Sequence, residues 1–414
     1  MFDDKLAIDG GTPIRTAPFP PRALFGKPER DAALLLFEES IETGSAIGYG
    51  GSQEQAYEQA FADFHGGGYA DLVNSGTSAL YAALGALELE PASEVVVPPI
   101  TDPGGVMPVA LLNLIPVPAD AAPGTFNAGA EQIEAAMRDC TRAIIVAHIA
   151  GESADMDPIL ELAAARDLPV IEDCAQAHGA LYKGRLTGTM GVVGVYSTMS
   201  GKHHATGPQG GVVYTQDEDL IWRCRRFSDR GKPFQMDCSS NVRAGLNLNG
   251  SDLAAAIGCV QLKRLPEIVS RRRALAQQVA QVLAESCCLQ LGRQVDGSEG
   301  VYWFIRIHVD QSRIGVTKDT FAGALAAEGF PVSASYRHLP AEAEWFRQRQ
   351  VFPPSDLPWS LPGYDDEPSR SFPCPNAVAA VESHFMLSLH ENWTDREIDE
   401  LAQGVRKVEA AYTS

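Results

Sequence analysis

Several features that mark common protein classes are missing from this chain. It has no surplus of positive charge: 33 basic side chains stand against 53 acidic ones over 414 residues, a formal charge of −20. That balance repels nucleic acid and anionic membranes, so neither is an expected partner. A small anionic ligand is not excluded, because it senses only the local field of its pocket. The eight cysteines (Cys140, Cys174, Cys224, Cys238, Cys259, Cys287, Cys288 and Cys374) contain no CxxC pair, and no His-rich tract accompanies them. Neither a zinc site nor a disulfide framework is suggested. They read as reduced cytosolic thiols used for packing. Every apolar stretch is broken well short of the ~20 residues a membrane helix needs. The opening MFDDKLAIDGG has no basic n-region and no apolar h-region, so no signal peptide is expected and the location reads as cytoplasmic. No internal repeat or low-complexity tract is present.

What remains is an ordinary globular composition, 45% hydrophobic and 21% charged, in a chain long enough for two domains. Residues 1–29 are rich in Pro and Gly and read as an irregular arm. From residue 30 helical and strand patterns alternate. Helices are predicted over 32–41, 53–64, 78–89, 130–137 and 159–166, and short apolar strands over 70–73, 94–97, 116–118, 143–147 and 169–172. Apolar strands alternating with helices indicate a mostly parallel sheet covered on both faces. Two further runs, 192–196 and 211–214, are joined by a loop and would form or edge the same sheet. A long helical pattern from Ser251 to about Glu285 is interrupted by Pro266. Beyond it, a strand at 301–309, a helix at 318–328, a strand at 332–336 and a closing amphipathic helix at 395–411 describe a smaller α+β domain. The expected division is arm 1–29, large α/β domain 30–265 and small domain 266–414.

In open parallel sheets, ligands bind outside the carboxyl ends of the strands. Three segments there carry unusual chemistry. Asn74-Ser75-Gly76-Thr77-Ser78 lies between a strand and a helix start, where small residues and free amides suit an anion. The same letters also make an ordinary capped turn. Ile171-Glu172-Asp173 ends an apolar strand with two carboxylates, where a buried charge needs a partner. A helix N-cap is the plainer use of such an Asp. In Ser197-Thr198-Met199-Ser200-Gly201-Lys202, followed by a Gly-rich turn, a lysine sits among small polar residues. That setting suits a desolvated nucleophile, although most lysines are solvated surface groups.

These motifs, with LAIDGGTPIR, GTSALYAAL, HIAGESADMDPI, EDCAQAHGA and LAAAIGCVQLKRL in order along nearly the whole chain, resemble the DegT/DnrJ/EryC1/StrS family of sugar aminotransferases. The resemblance implies an α/β fold of PLP fold type I, aspartate-aminotransferase-like, and pyridoxal 5′-phosphate (PLP) as cofactor. By it, Lys202 would form the internal aldimine and then move the proton, and Asp173 would pair with the pyridine nitrogen. Gln176 would bond the ring hydroxyl. Gly76, Thr77 and Ser197 would hold the phosphate, as would Asn247 from the neighbouring subunit of a homodimer that shares its active sites. His148 matches a position near the site. Relatives that dehydrate replace the lysine with histidine, so Lys202 favours transamination, from glutamate or glutamine through pyridoxamine phosphate.

The chain departs from the family at two places. Pro98-Pro99-Ile100-Thr101-Asp102-Pro103 lacks the aromatic residue that stacks on the cofactor. Asn247-Leu248-Asn249-Gly250 lacks an arginine, with Asn249 in its place. The implied acceptor is a keto-sugar, nucleotide-linked, or a keto-cyclitol. The alternatives are an aminohydroxybenzoate-synthase-like enzyme on a cyclic carbon skeleton and a PLP-binding sensory or structural protein. Tyr336-Arg337-His338 and His390-Glu391-Asn392-Trp393 are candidates for the substrate side, or for plain surface loops.

Overall fold

A computed structural model describes residues 5–413 apart from 366, 368 and 369. Seven strands form the larger sheet, in the spatial order Tyr69–Val73, Gly211–Thr215, Val193–Ser197, Val170–Asp173, Thr141–Ala147, Glu94–Val97 and Ile115–Pro118. Only Gly211–Thr215 runs against the others. The two loop-joined runs therefore lie inside the sheet, between its edge strand and the parallel block. Val95, Val96 and Val97 are all fully buried, as strands covered on both faces must be. One face is covered by an Ala- and Leu-rich helix, Gly76–Ala86, and by Glu218–Ser228. The other packs against Ser52–Phe64, Met156–Ala165 and part of the helix Asp252–Ala284.

The helix Asp252–Ala284 is continuous over 33 residues and passes through Pro266, where the sequence predicts an interruption. A proline inside a helix costs about 3 kcal/mol. Here Leu262, Leu265, Ile268, Val269, Arg272 and Leu275 are buried on both sides of it, and that packing outweighs the cost. Pro266 itself is exposed, so water can serve the carbonyl it leaves without a helical donor. The expected boundary at residue 266 thus falls within one rigid element. Its first half packs on the seven-stranded sheet, and its second half joins the core of the smaller unit.

That smaller unit is an antiparallel four-stranded sheet in the order Leu289–Leu291, Ile305–Val309, His384–Leu387, Val332–Ser333. The helices Lys318–Ala327 and Asp395–Tyr412 complete its core around Phe321, Phe385, Trp393 and Leu401. The strand predicted over 332–336 is only two residues long, because the Ala334 carbonyl is taken by Lys318 Nζ instead of a neighbouring strand. The first part of the amino-terminal arm, from Leu6 to Ile14, belongs to this unit. Leu6 enters its core, and Glu328 accepts from the amides of Ala7 (2.8 Å) and Ile14 (3.0 Å). All eight cysteines are free thiols. Among the described residues no helix is long and apolar enough to cross a membrane.

Candidate active site

A cavity of about 250 Å³ opens at the carboxyl ends of the parallel strands, lined by Gly76, Thr77, Asp173, Gln176, Ser197 and Lys202 among others. Six of the seven residues singled out for cofactor binding therefore meet in one place. Asn247 does not: it is exposed, lies outside this cavity, and accepts a hydrogen bond from Asn249 Nδ2 at 2.7 Å.

One end of the cavity is built for an anion. Ser75 caps the helix Gly76–Ala86 by accepting from Ser78 N at 3.1 Å. The first amides of any helix have no intrahelical acceptor and lie at the positive end of its dipole. Glycine is required at 76, since a Cβ there would come within 2.8 Å of Ser197 Cβ. A Cβ on Gly104 would meet Thr77 Oγ1 at 2.3 Å. These small residues let backbone and hydroxyl groups close around the same space.

The two strand-end carboxylates have different tasks. Glu172 points into the protein and is fully buried. It accepts from His148 Nε2 (3.0 Å) and from the amides of Gly188 (2.8 Å), Met190 (2.7 Å) and Gly191 (2.6 Å). Burial pushes its pKa up, but these bonds outweigh that and hold it below the usual carboxylate range. His148 Nδ1 accepts from Ala154 N at 3.1 Å, so the imidazole is the Nε2–H tautomer and both nitrogens are engaged. Asp173 points the other way, into the cavity, and accepts from Ala175 N at 3.0 Å. Burial raises its pKa, with Ala175 N, Lys202 and His148 pulling the other way.

Lys202 is buried, and burial lowers its pKa to about 8 against the pull of Asp173 and Asp102. Its Nζ lies 4.0 Å from the centroid of the Trp303 ring. Trp303 went unremarked in the sequence because it lies 101 positions along the chain from the lysine. The only local hint is an aromatic run, Tyr302-Trp303-Phe304. Asp102, where an aromatic ring is expected, lines the same cavity and accepts from Gly104 N at 3.0 Å.

The candidate substrate-side segments divide. Gln176 Oε1 accepts from Ala150 N (2.8 Å) and its Nε2 donates to Tyr336 OH (2.9 Å). Arg337 and His338 line a second cavity, of about 230 Å³, which shares Thr101 with the first. The segment His390–Trp393 does not line either cavity. Trp393 is in the core of the smaller unit, and Glu391 is committed to Arg22 (3.0 Å) and Arg272 (2.9 Å).

The model of the DegT/DnrJ/EryC1/StrS aminotransferase family matches residues 29–406. L-glutamine:2-deoxy-scyllo-inosose aminotransferase of Streptomyces fradiae is 33% identical over 349 residues, covering 81% of this chain and 82% of that relative. GDP-perosamine synthase of Caulobacter vibrioides is 34% identical over 300 residues, covering 69% and 78%. Among solved structures, the aminotransferase from Psychrobacter cryohalolentis superposes with a TM-score of 0.82 at 28% identity, covering 95% of this chain and 99% of that one. The fold is that of the fold-type-I aminotransferases, and the chain belongs to the DegT/DnrJ/EryC1/StrS aminotransferase family.

Proposed function

We propose that this aminotransferase moves an amino group from glutamine or glutamate to the carbonyl carbon of a keto-cyclitol or keto-sugar, with PLP held in the 250 Å³ cavity. The observation that carries the reading is the meeting, in that cavity, of a buried lysine with lowered pKa, a half-buried aspartate and a helix N-terminus. Those three groups fit an aldehyde, a basic ring nitrogen and a phosphate, and the close approach of Gly76 to Ser197 leaves that space to a ligand. When bound, PLP supplies an electron sink for the carbanion formed at the substrate carbon. The protein's own residues do the rest. Gly76, Thr77 and Ser197 anchor the phosphate, Asp173 holds the ring nitrogen protonated, and Gln176 offers its second Nε2 hydrogen to the ring hydroxyl. Lys202, whose pKa is lowered to about 8 so that a usable fraction is the free amine near neutral pH, would bond the aldehyde and, once released from it, accept and return the proton at Nζ.

The curated relatives named above favour a ring ketone as acceptor: one takes its name from 2-deoxy-scyllo-inosose, the other from GDP-perosamine. Supplying glutamine and 2-deoxy-scyllo-inosose, or a nucleotide-linked keto-hexose, should give the aminated ring by mass spectrometry. The cofactor band should bleach on addition of the donor alone. A band that no amino donor converts would overturn the reading in favour of a protein that binds PLP without turnover.

The same reading includes a homodimer. Helix Lys27–Thr43 exposes Leu34, Leu35, Phe37 and Ile41, the last 81% accessible, on an otherwise charged chain. A contiguous apolar face of this kind is normally covered. The exposure of Asn247 outside its own cavity supports the same reading, in which it serves a second copy. Sedimentation should show a dimer that the double substitution Leu35→Asp with Ile41→Asp converts to monomer. An unchanged mass would remove this face from the interface.

A further inference from the structure

The turn that carries Lys202 is held by a residue 180 positions away. Arg22, in the amino-terminal arm, donates from Nη1 to the carbonyl of Gly201 (3.0 Å). Its Nη2 donates to the carbonyls of Lys202 (2.7 Å) and His203 (3.4 Å). One planar guanidinium thus gathers the carbonyls of the lysine and of the residues on either side of it. Trp303 Nε1 adds a second donor to Gly201 O at 3.2 Å, while its ring faces Lys202 Nζ.

Arg22 is in turn fixed from behind. Its Nε meets Glu391 Oε1 at 3.0 Å, and the other oxygen of Glu391 takes Arg272 Nε at 2.9 Å. Arg272 Nη1 reaches the carbonyl of Tyr302 (2.7 Å), next to Trp303, so the same carboxylate also steadies the segment that brings the indole. Asn392 Nδ2 closes the arrangement by donating to the carbonyl of Arg22 at 2.7 Å. Leu24 then anchors the arm against Ala205 and Ile268. A fork of five N–H donors is the side chain suited to bridging several carbonyls at once, and lysine cannot replace it.

We propose that Arg22, seated by Glu391, is the positioning residue for Lys202, so that docking of the amino-terminal arm sets how readily the lysine amine bonds the cofactor aldehyde. This rests on the proposed PLP reading. It makes a distinction that a general loss of structure would not: a poorly placed Lys202 should weaken only ligands that bond to it. PLP carries the aldehyde; pyridoxine 5′-phosphate has the same ring and phosphate with an alcohol in its place.

The test is equilibrium binding of both ligands to the full-length apoprotein, followed by absorbance or tryptophan fluorescence. For Arg22→Ala, PLP affinity should fall about tenfold or more, with pyridoxine phosphate within about twofold of the wild type. Arg22→Lys keeps the charge opposite Glu391 but not the fork, and should show the same selective loss at smaller size. It also decides the matter if the alanine variant does not fold. Equal weakening of both ligands, or no change in either, would overturn the proposal. Borohydride trapping on the wild type separates the two levels: no adduct on Lys202 sinks the PLP reading and this inference with it. A Lys202 adduct that Arg22 variants leave unweakened sinks the inference alone.

Discussion

Alanine in place of Lys202 should lower amino transfer by about 10³-fold or more, because one residue is asked to be both covalent anchor and proton carrier. The site around it is arranged for that double duty. Burial lowers its pKa to about 8, so a usable fraction is the free amine at neutral pH. The Trp303 ring at 4.0 Å and the carboxylates of Asp173 and Asp102 keep the protonated form accessible as well. Lys202→Arg would keep the charge but cannot condense with an aldehyde or release its proton, so it should be nearly as inactive as alanine. Single-turnover conversion of the cofactor band by glutamine is the measurement. Activity of Lys202→Ala within about tenfold of the wild type would mean that another amine does the chemistry.

The parts of this site that the sequence makes legible share one property: each is a short segment whose neighbours in the chain are also its neighbours in space. The helix start at Gly76, the strand end at Glu172-Asp173 and the Ser197–Lys202 turn are of this kind, and the parallel sheet brings them together by topology alone. Trp303, Arg22 and Glu391 are different. They reach the lysine turn from the far side of the chain, through bonds such as Arg22 to Gly201 that span 179 positions. Apart from the aromatic run at 302–304, nothing in the residues around them distinguishes them from ordinary surface or core positions. Glu391 shows the limit well: its segment reads as either a substrate-side loop or a plain surface loop, but its charge faces two arginines.

The same contrast holds for the fold. The strands of the parallel block are written in runs of Val and Ile. The long helix is legible except at Pro266, because burial on both flanks decides a matter that local propensity decides the other way. The helix Glu218–Ser228 is marked in the sequence, by Asp217 capping Leu220 N at 3.0 Å, acids in its first turn and arginines in its last. It is not among the helices predicted above, although Leu220, Ile221, Cys224 and Phe227 recur at helical spacing, because charged residues dominate the segment around that stripe.

Glu172→Ala should be among the most destabilising single substitutions in the chain, costing about 3–5 kcal/mol. Its carboxylate is fully buried and is the common acceptor for three backbone amides and His148. Removing it leaves four donors without partners and opens a void, against a total stability of about 5–15 kcal/mol for a typical domain. Glu172→Gln keeps the shape but turns one oxygen into a donor, which must face either the His148 and Gly188 side or the Met190 and Gly191 side. His148 cannot relieve the clash by changing tautomer, because its Nδ1 already accepts from Ala154 N. The amide variant should therefore still lose about 1–3 kcal/mol. The pH dependence has a definite sign. Glu172 is held below its ordinary pKa of 4.5 in the folded protein, so its contribution is complete above that value. It is lost as pH falls through the lower folded value. Urea unfolding at neutral pH and at pH 4 reads both effects, and the glutamine variant should lose less stability than the wild type between the two. If the alanine variant unfolds within about 0.5 kcal/mol of the wild type, the buried network around Glu172 is not what joins this strand end to the turn at 188–191.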